Sequence, residues 1–143
     1  MILYFDTSAM VPLIVEEPGS QIAARLWDEA DVVVSSRLVY PEGRAALAMA
    51  LRTERVDEPQ RRTAVDAFDG LYEQLHIVDL TQTLAQSAGA FAEQFALRGY
   101  DAVHLASVYA VADSDVVLAA GDQGLLSAAR TLGMATADLT APS

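Results

Sequence analysis

Short apolar runs recur along this chain, and a long helical stretch fills nearly every gap between them. Ile2, Leu3, Tyr4 and Phe5 form the first run, and Val32, Val33 and Val34 a second that is rich in β-branched residues. Residues 75–78, 116–119 and 134–136 give a third, a fourth and a short fifth. Helical patterning covers roughly 20–30, 37–55, 58–74, 81–97, 101–112 and 123–132, punctuated by Pro18, Gly19, Pro59, Gly99 and Gly133. Strands separated by helices cannot pair as hairpins. They pair side by side through crossovers, which predicts an α/β fold with a parallel sheet between two helical layers. No linker, repeat or change of composition interrupts the 143 residues, so one domain is expected.

Composition narrows the chemistry. The chain has no cysteine, which excludes disulfides, thiolate zinc sites and thiol nucleophiles. All nine basic residues are arginines, so a lysine-dependent phosphate loop or Schiff base is excluded as well. His76 and His104 are too few for a three-histidine zinc site. The N-terminus reaches Asp6 before any positive side chain, and no apolar stretch approaches the ~20 residues that span a bilayer. A cytoplasmic location is expected. The net charge of −11 argues against anionic surfaces unless bound cations reverse the local sign.

The acids fall in informative places. Function in an open parallel sheet gathers at the carboxyl ends of the strands. Asp6 follows the first strand, Asp122 the fourth, and Asp101 opens a helix after Gly99. Each also suits an ordinary helix N-cap, and singly the two readings balance. Glu42 tips them. Its helical neighbours Leu38, Val39, Ala45, Ala46 and Met49 make an apolar stripe, and no base on that helix is placed to pair with it. A carboxylate on such a stripe is costly unless paired or bound to a cation. Pro41 and Gly43 leave open a helix that turns Glu42 outward. Four carboxylates without a lysine point to a hard divalent cation serving phosphate chemistry.

Phe5-Asp6-Thr7-Ser8-Ala9, the Glu42 of Tyr40-Pro41-Glu42, the segment from Leu97 to Ala106 and Gly121-Asp122-Gln123-Gly124-Leu125-Leu126 together resemble the PIN-domain ribonucleases. The likeness is to the VapC-like toxins of bacterial toxin–antitoxin modules, and it runs from residue 2 to about 136. It implies a single PIN-like domain over 1–143, with a five-stranded parallel sheet flanked by helices. Its acids would converge in a cleft holding Mg²⁺ or Mn²⁺. By that resemblance Asp6 and Asp101 are principal metal ligands. Glu42 and Asp122 hold the metal or its bound water, and the hydroxyl of Ser8 supports the site. Many relatives place Thr or Ser where this chain has Ala120, which puts one supporting hydrogen bond in doubt. The activity implied is metal-dependent endoribonuclease action on RNA, in a homodimer neutralised by a cognate antitoxin.

Other residues carry weaker signals. His104, three residues after Asp101, reads more readily as a quietly packed histidine than as part of the site. Arg98 suits a phosphate contact or a helix C-terminus ending at Gly99. Asp79 could join the cluster but reads better as a cap. Glu16, Glu17, Asp113 and Asp115 read as solvated charges, the last two at the wrong end of the sheet. Arg52, Arg55, Arg61 and Arg62 lie within eleven residues and are the best candidate phosphate patch, although Glu54, Asp57 and Glu58 interleave with them. Two other readings compete. One is a phosphatase or phosphotransfer protein with Asp6 as nucleophile, against which the missing lysine counts. The other is a catalytically weak scaffold with a PIN-like fold.

Overall fold

The structure, a computed structural model, describes residues 1–112 and 115–141. The chain runs β1 (Ile2–Phe5), α1 (Thr7–Met10), a 3₁₀ turn (Val11–Leu13), α2 (Ser20–Glu29), β2 (Val32–Ser36), α3 (Val39–Arg52) and α4 (Glu58–Gln74). It continues with β3 (His76–Val78), α5 (Gln82–Phe95), α6 (Gly99–Val111), β4 (Val116–Ala120), α7 (Gln123–Thr131) and β5 (Ala135–Asp138). Five strands pair in the order β3-β2-β1-β4-β5, every pair parallel. The expected parallel sheet between helices is present.

This order sets the site. From central β1 the chain winds outward through β2 and β3, then crosses back to β4 and β5 on the other side. The connections leave β1 and β4 in opposite directions, so a crevice opens between their carboxyl ends. Phe5 pairs with Ala119 there, which brings the residues after both strands together.

Side-chain alternation along β1 fills two cores. Leu3 and Phe5 pack with Val33, Val39, Leu47 and Phe68 on one face. Tyr4 packs with Leu105, Val108, Leu118, Leu125 and Leu126 on the other. Among the described residues no helix is long and apolar enough to cross a membrane.

Several boundaries differ from expectation for local reasons. β2 runs on to Ser36 because buried hydroxyls find backbone partners: Ser35 donates to the Phe5 carbonyl at 2.6 Å, and Ser36 accepts from the Leu38 N–H at 3.0 Å. The four-residue α1 is too short to show a period. α5 stops at Phe95 because Ala96 turns left-handed, with φ of 53°. Arg98 does not end a helix, as one reading had it; it is the N-cap of α6, and Gly99 begins that helix. Asp115 directly precedes β4, at the far end of that strand from Asp122. Asp113 lies outside the described residues.

The stripe assigned to α3 also needs correcting. Its buried residues are Val39, Gly43, Leu47 and Ala50, whereas Ala45 and Met49 are exposed. Gly43 shifts the buried face, because α3 crosses α4 so closely there that a Cβ would lie 2.2 Å from Cζ of buried Phe68. Glu42 therefore stands at the edge of the buried face, with its side chain 21% exposed.

Candidate active site

Asp6 leaves the end of β1 and caps α1. Its Oδ1 accepts from the Ala9 N–H at 3.1 Å and from the Ser8 hydroxyl at 2.7 Å. The residue is only 3% exposed, and burial pushes its carboxyl up from 3.8 to about 6. His104, the Ser8 hydroxyl and the Ala9 N–H oppose that rise, while nearby Asp101 adds to it. Ser8 also accepts from the Gly121 N–H at 2.8 Å, which ties the end of β4 to the first aspartate. Ala120 itself is buried in the core.

Asp122 caps α7, its Oδ1 accepting from the Leu125 N–H at 2.8 Å. Asp101 is no cap. It occupies the third position of α6, behind Arg98, and its Oδ2 accepts from Arg98 Nε at 2.9 Å. Burial raises its carboxyl above the ordinary range, Arg98 pulls the other way, and Asp122 adds to the rise. Arg98 Nη2 reaches Asp122 Oδ2 at 3.3 Å, so one guanidinium bridges both acids. That guanidinium lies 4.7 Å above the ring of exposed Tyr100, a cation–π contact at the mouth of the site.

Glu42 enters from the first turn of α3. Its Oε1 accepts from the Thr7 hydroxyl at 2.8 Å and stands 2.7 Å from His104 Nε2. Asp6, Ser8, Glu42, Arg98, Asp101 and Asp122 line one cleft of about 270 Å³, joined by Thr7, Tyr100 and His104. All four predicted acids and both supporting residues come together.

Three of the four acids share a pattern; Asp122 engages both of its oxygens. Asp6 and Glu42 each spend one carboxylate oxygen on the protein, and so does Asp101. Among the described residues, Asp6 Oδ2, Glu42 Oε2 and Asp101 Oδ1 have no hydrogen-bond donor. An all-oxygen donor set of this kind has the chemistry of a hard divalent cation, Mg²⁺ or Mn²⁺. Among the described residues no three acids or histidines close into a ready-made cage. Arg98 sits against two of the four acids and offsets one of their two charges.

Other candidates lie elsewhere. Asp79 pairs with Arg37 at 2.8 Å on the surface, and the cap of α5 is Thr81, not Asp79. The arginine patch is remote: Arg52 stands ten residues beyond Glu42, ~15 Å along α3. Arg61 is engaged with Glu58 at 2.6 Å, as the interleaved acids suggested.

Thr7, Tyr100 and Tyr4 were missed, and His104 was read as quiet packing. Two signals were available. His104 shares a helix face with Asp101 at a spacing of three, and Tyr4 shares a strand face with Asp6.

The sequence profile of the PIN domain family matches residues 3–130. Ribonuclease VapC49 of Mycobacterium tuberculosis is 45% identical over 132 residues, covering 92% of each chain. Among solved structures, the Mycobacterium tuberculosis toxin VapC20, described as cleaving the sarcin–ricin loop, superposes with a TM-score of 0.69. That match has 20% identity and covers 88% of this chain and 94% of the other. A toxin–antitoxin complex from Klebsiella pneumoniae gives a TM-score of 0.60 at 16% identity, covering 84% of this chain and 86% of the other.

Proposed function

The chain belongs to the PIN domain family, and from that premise we propose that it is a metal-dependent endoribonuclease, the toxin of a toxin–antitoxin pair. The single observation that carries the reading is the convergence of Asp6, Glu42, Asp101 and Asp122, from four separate elements, on one cleft at the β1–β4 switch point. The 45% identity to a VapC ribonuclease supports the substrate class, and the Klebsiella complex supports a cognate antitoxin as partner. A homodimer in the cytoplasm belongs to the same proposal.

Each residue then has a task. Asp6 and Asp101 present their unengaged oxygens as principal ligands, and Glu42 and Asp122 complete the acidic wall. Mg²⁺ or Mn²⁺, when bound, would supply charge neutralisation at the scissile phosphate and lower the pKa of water toward neutrality. Ser8 and the Ala9 N–H fix the rotamer of Asp6. Arg98, its side chain 63% exposed, bridges Asp101 and Asp122 at the edge of the cleft and would be placed to meet a phosphate there. The exposed ring of Tyr100 beside it offers a stacking face to an unpaired base.

An aspartyl-phosphate mechanism fits less well. Asp6 Oδ1 is engaged by two donors, and no lysine exists to hold a phosphoryl group. The test is RNA cleavage by the parent and by Asp6→Asn and Asp101→Asn. Both variants are expected to lose cleavage by orders of magnitude while remaining folded. Undiminished cleavage in both would refute the assignment.

A further inference from the structure

Behind Glu42 lies a polar chain that the activity alone does not call for. Tyr4 is completely buried and His104 is 1% exposed, beside a cluster of Leu, Val and Ala and the buried hydroxyls of Ser35 and Ser107. The Tyr4 hydroxyl stands 2.8 Å from His104 Nδ1, with the two rings edge-on at 79°. His104 Nε2 stands 2.7 Å from Glu42 Oε1.

The direction of the bond to Glu42 follows from chemistry. An ionised carboxylate only accepts, so Nε2 carries the hydrogen. Nδ1 faces the Tyr4 hydroxyl, an oxygen that can both donate and accept, so that contact is satisfied whether or not Nδ1 carries a hydrogen. The His104 Nε2–H points toward Glu42, and the Thr7 hydroxyl adds a second donor to the same oxygen.

We propose that Tyr4 and His104 are positioning residues that lock Oε1 of Glu42 to the protein and so reserve Oε2 for the cation. The inference rests on the reading of the cleft given above and goes beyond it. With Oε1 held by Thr7 and His104, rotation of the carboxylate breaks a part-buried hydrogen bond and strands the buried His104 N–H, and an unpaired buried polar group is costly. The lock spans four elements. Tyr4 comes from β1, Thr7 from α1, Glu42 from α3 and His104 from α6, the helix that also carries Asp101. Setting His104 therefore sets Glu42 relative to Asp101. Hydrogen-bonded partners of this kind, behind metal ligands, typically change metal affinity roughly 10- to 100-fold when removed.

The experiment measures Mn²⁺ binding to the full chain by electron paramagnetic resonance, without RNA. His104→Leu keeps the bulk and removes both nitrogens. His104→Gln returns a donor near the Nε2 position. Tyr4→Phe removes only the far end of the chain. His104→Leu is expected to weaken Mn²⁺ binding roughly 10- to 100-fold, His104→Gln to recover most of the loss, and Tyr4→Phe to fall between Leu and the parent. Should His104→Leu not fold, Mn²⁺ binding weaker than the parent in Tyr4→Phe and near the parent in His104→Gln is decisive by itself. Lowered melting temperatures with Mn²⁺ affinity equal to the parent in His104→Gln and Tyr4→Phe would overturn the proposal, since that is the signature of packing alone. Glu42→Gln and Asp101→Asn serve as references. If they weaken Mn²⁺ binding and the His104 and Tyr4 variants do not, this inference fails while the cleft stands. If none of the variants changes it, the metal reading itself fails.

Discussion

Asp6→Asn should make the metal-free protein more stable, and the magnitude follows from the burial of one carboxyl. Asp6 is 3% exposed, and its carboxyl rises from 3.8 to about 6. That rise corresponds to ~3 kcal/mol against the ionised form in the folded state, with the hydrogen bonds from Ser8 and Ala9 already set against it. The sign is fixed by the direction. A raised carboxyl binds its proton more tightly when folded, so the penalty is absent below about pH 4, grows through the window from about 4 to 6, and is complete above it. Asparagine is neutral throughout, and its Oδ1 still accepts from the Ser8 hydroxyl and the Ala9 N–H. In EDTA at about pH 7.5 the variant should exceed the parent by ~3 kcal/mol, or ~10 °C in melting temperature. At about pH 4 the two should converge. Urea unfolding at both pH values measures the difference, and Mg²⁺ should narrow it by stabilising the parent alone. A variant less stable than the parent by the same amount at both pH values would refute the reasoning.

Gly43→Ala should cost about 1–3 kcal/mol in urea unfolding, because the new Cβ would sit 2.2 Å from Cζ of buried Phe68 and force α3 from α4; an unchanged midpoint would contradict that packing. Asp122→Asn keeps its cap to the Leu125 N–H, so the melting temperature in EDTA should hold or rise while the stabilisation by Mg²⁺ shrinks. A full Mg²⁺ response in that variant would remove Asp122 from the cleft. Asp115→Asn should leave RNA cleavage unchanged, since the residue precedes β4 and Asp122 follows it; loss of cleavage with the fold intact would contradict the placement.

How much of this was legible in the sequence depends on the range of each cause. Runs such as Ile2–Phe5 and the valines from Val32 announce buried parallel strands because both faces are covered, which is a local demand on side-chain type. The aspartates after β1 and β4 were legible for the same reason: strand ends are visible in the sequence, and function gathers there. Glu42 was reached by an argument that was only partly sound. Its stripe was misplaced by one residue, because the close approach of Phe68 to Gly43 joins segments twenty-five residues apart and leaves no periodic trace. His104 was underrated for a similar reason. Its partners Tyr4 and Glu42 lie on other elements, and only the folded chain shows that a histidine on an apolar helix face ends on a site carboxylate. The arginines near residue 55 drew notice by density alone, and density does not encode distance from a cleft.

The central claim is that the four acids work through a divalent cation on RNA. Its most direct test is cleavage of a defined RNA by the parent chain, stripped of metal with excess EDTA and then supplied with Mg²⁺ or Mn²⁺. Cleavage should disappear on stripping and return on either addition, because water without its cation is a poor nucleophile at neutral pH. Undiminished cleavage in excess EDTA would contradict the account.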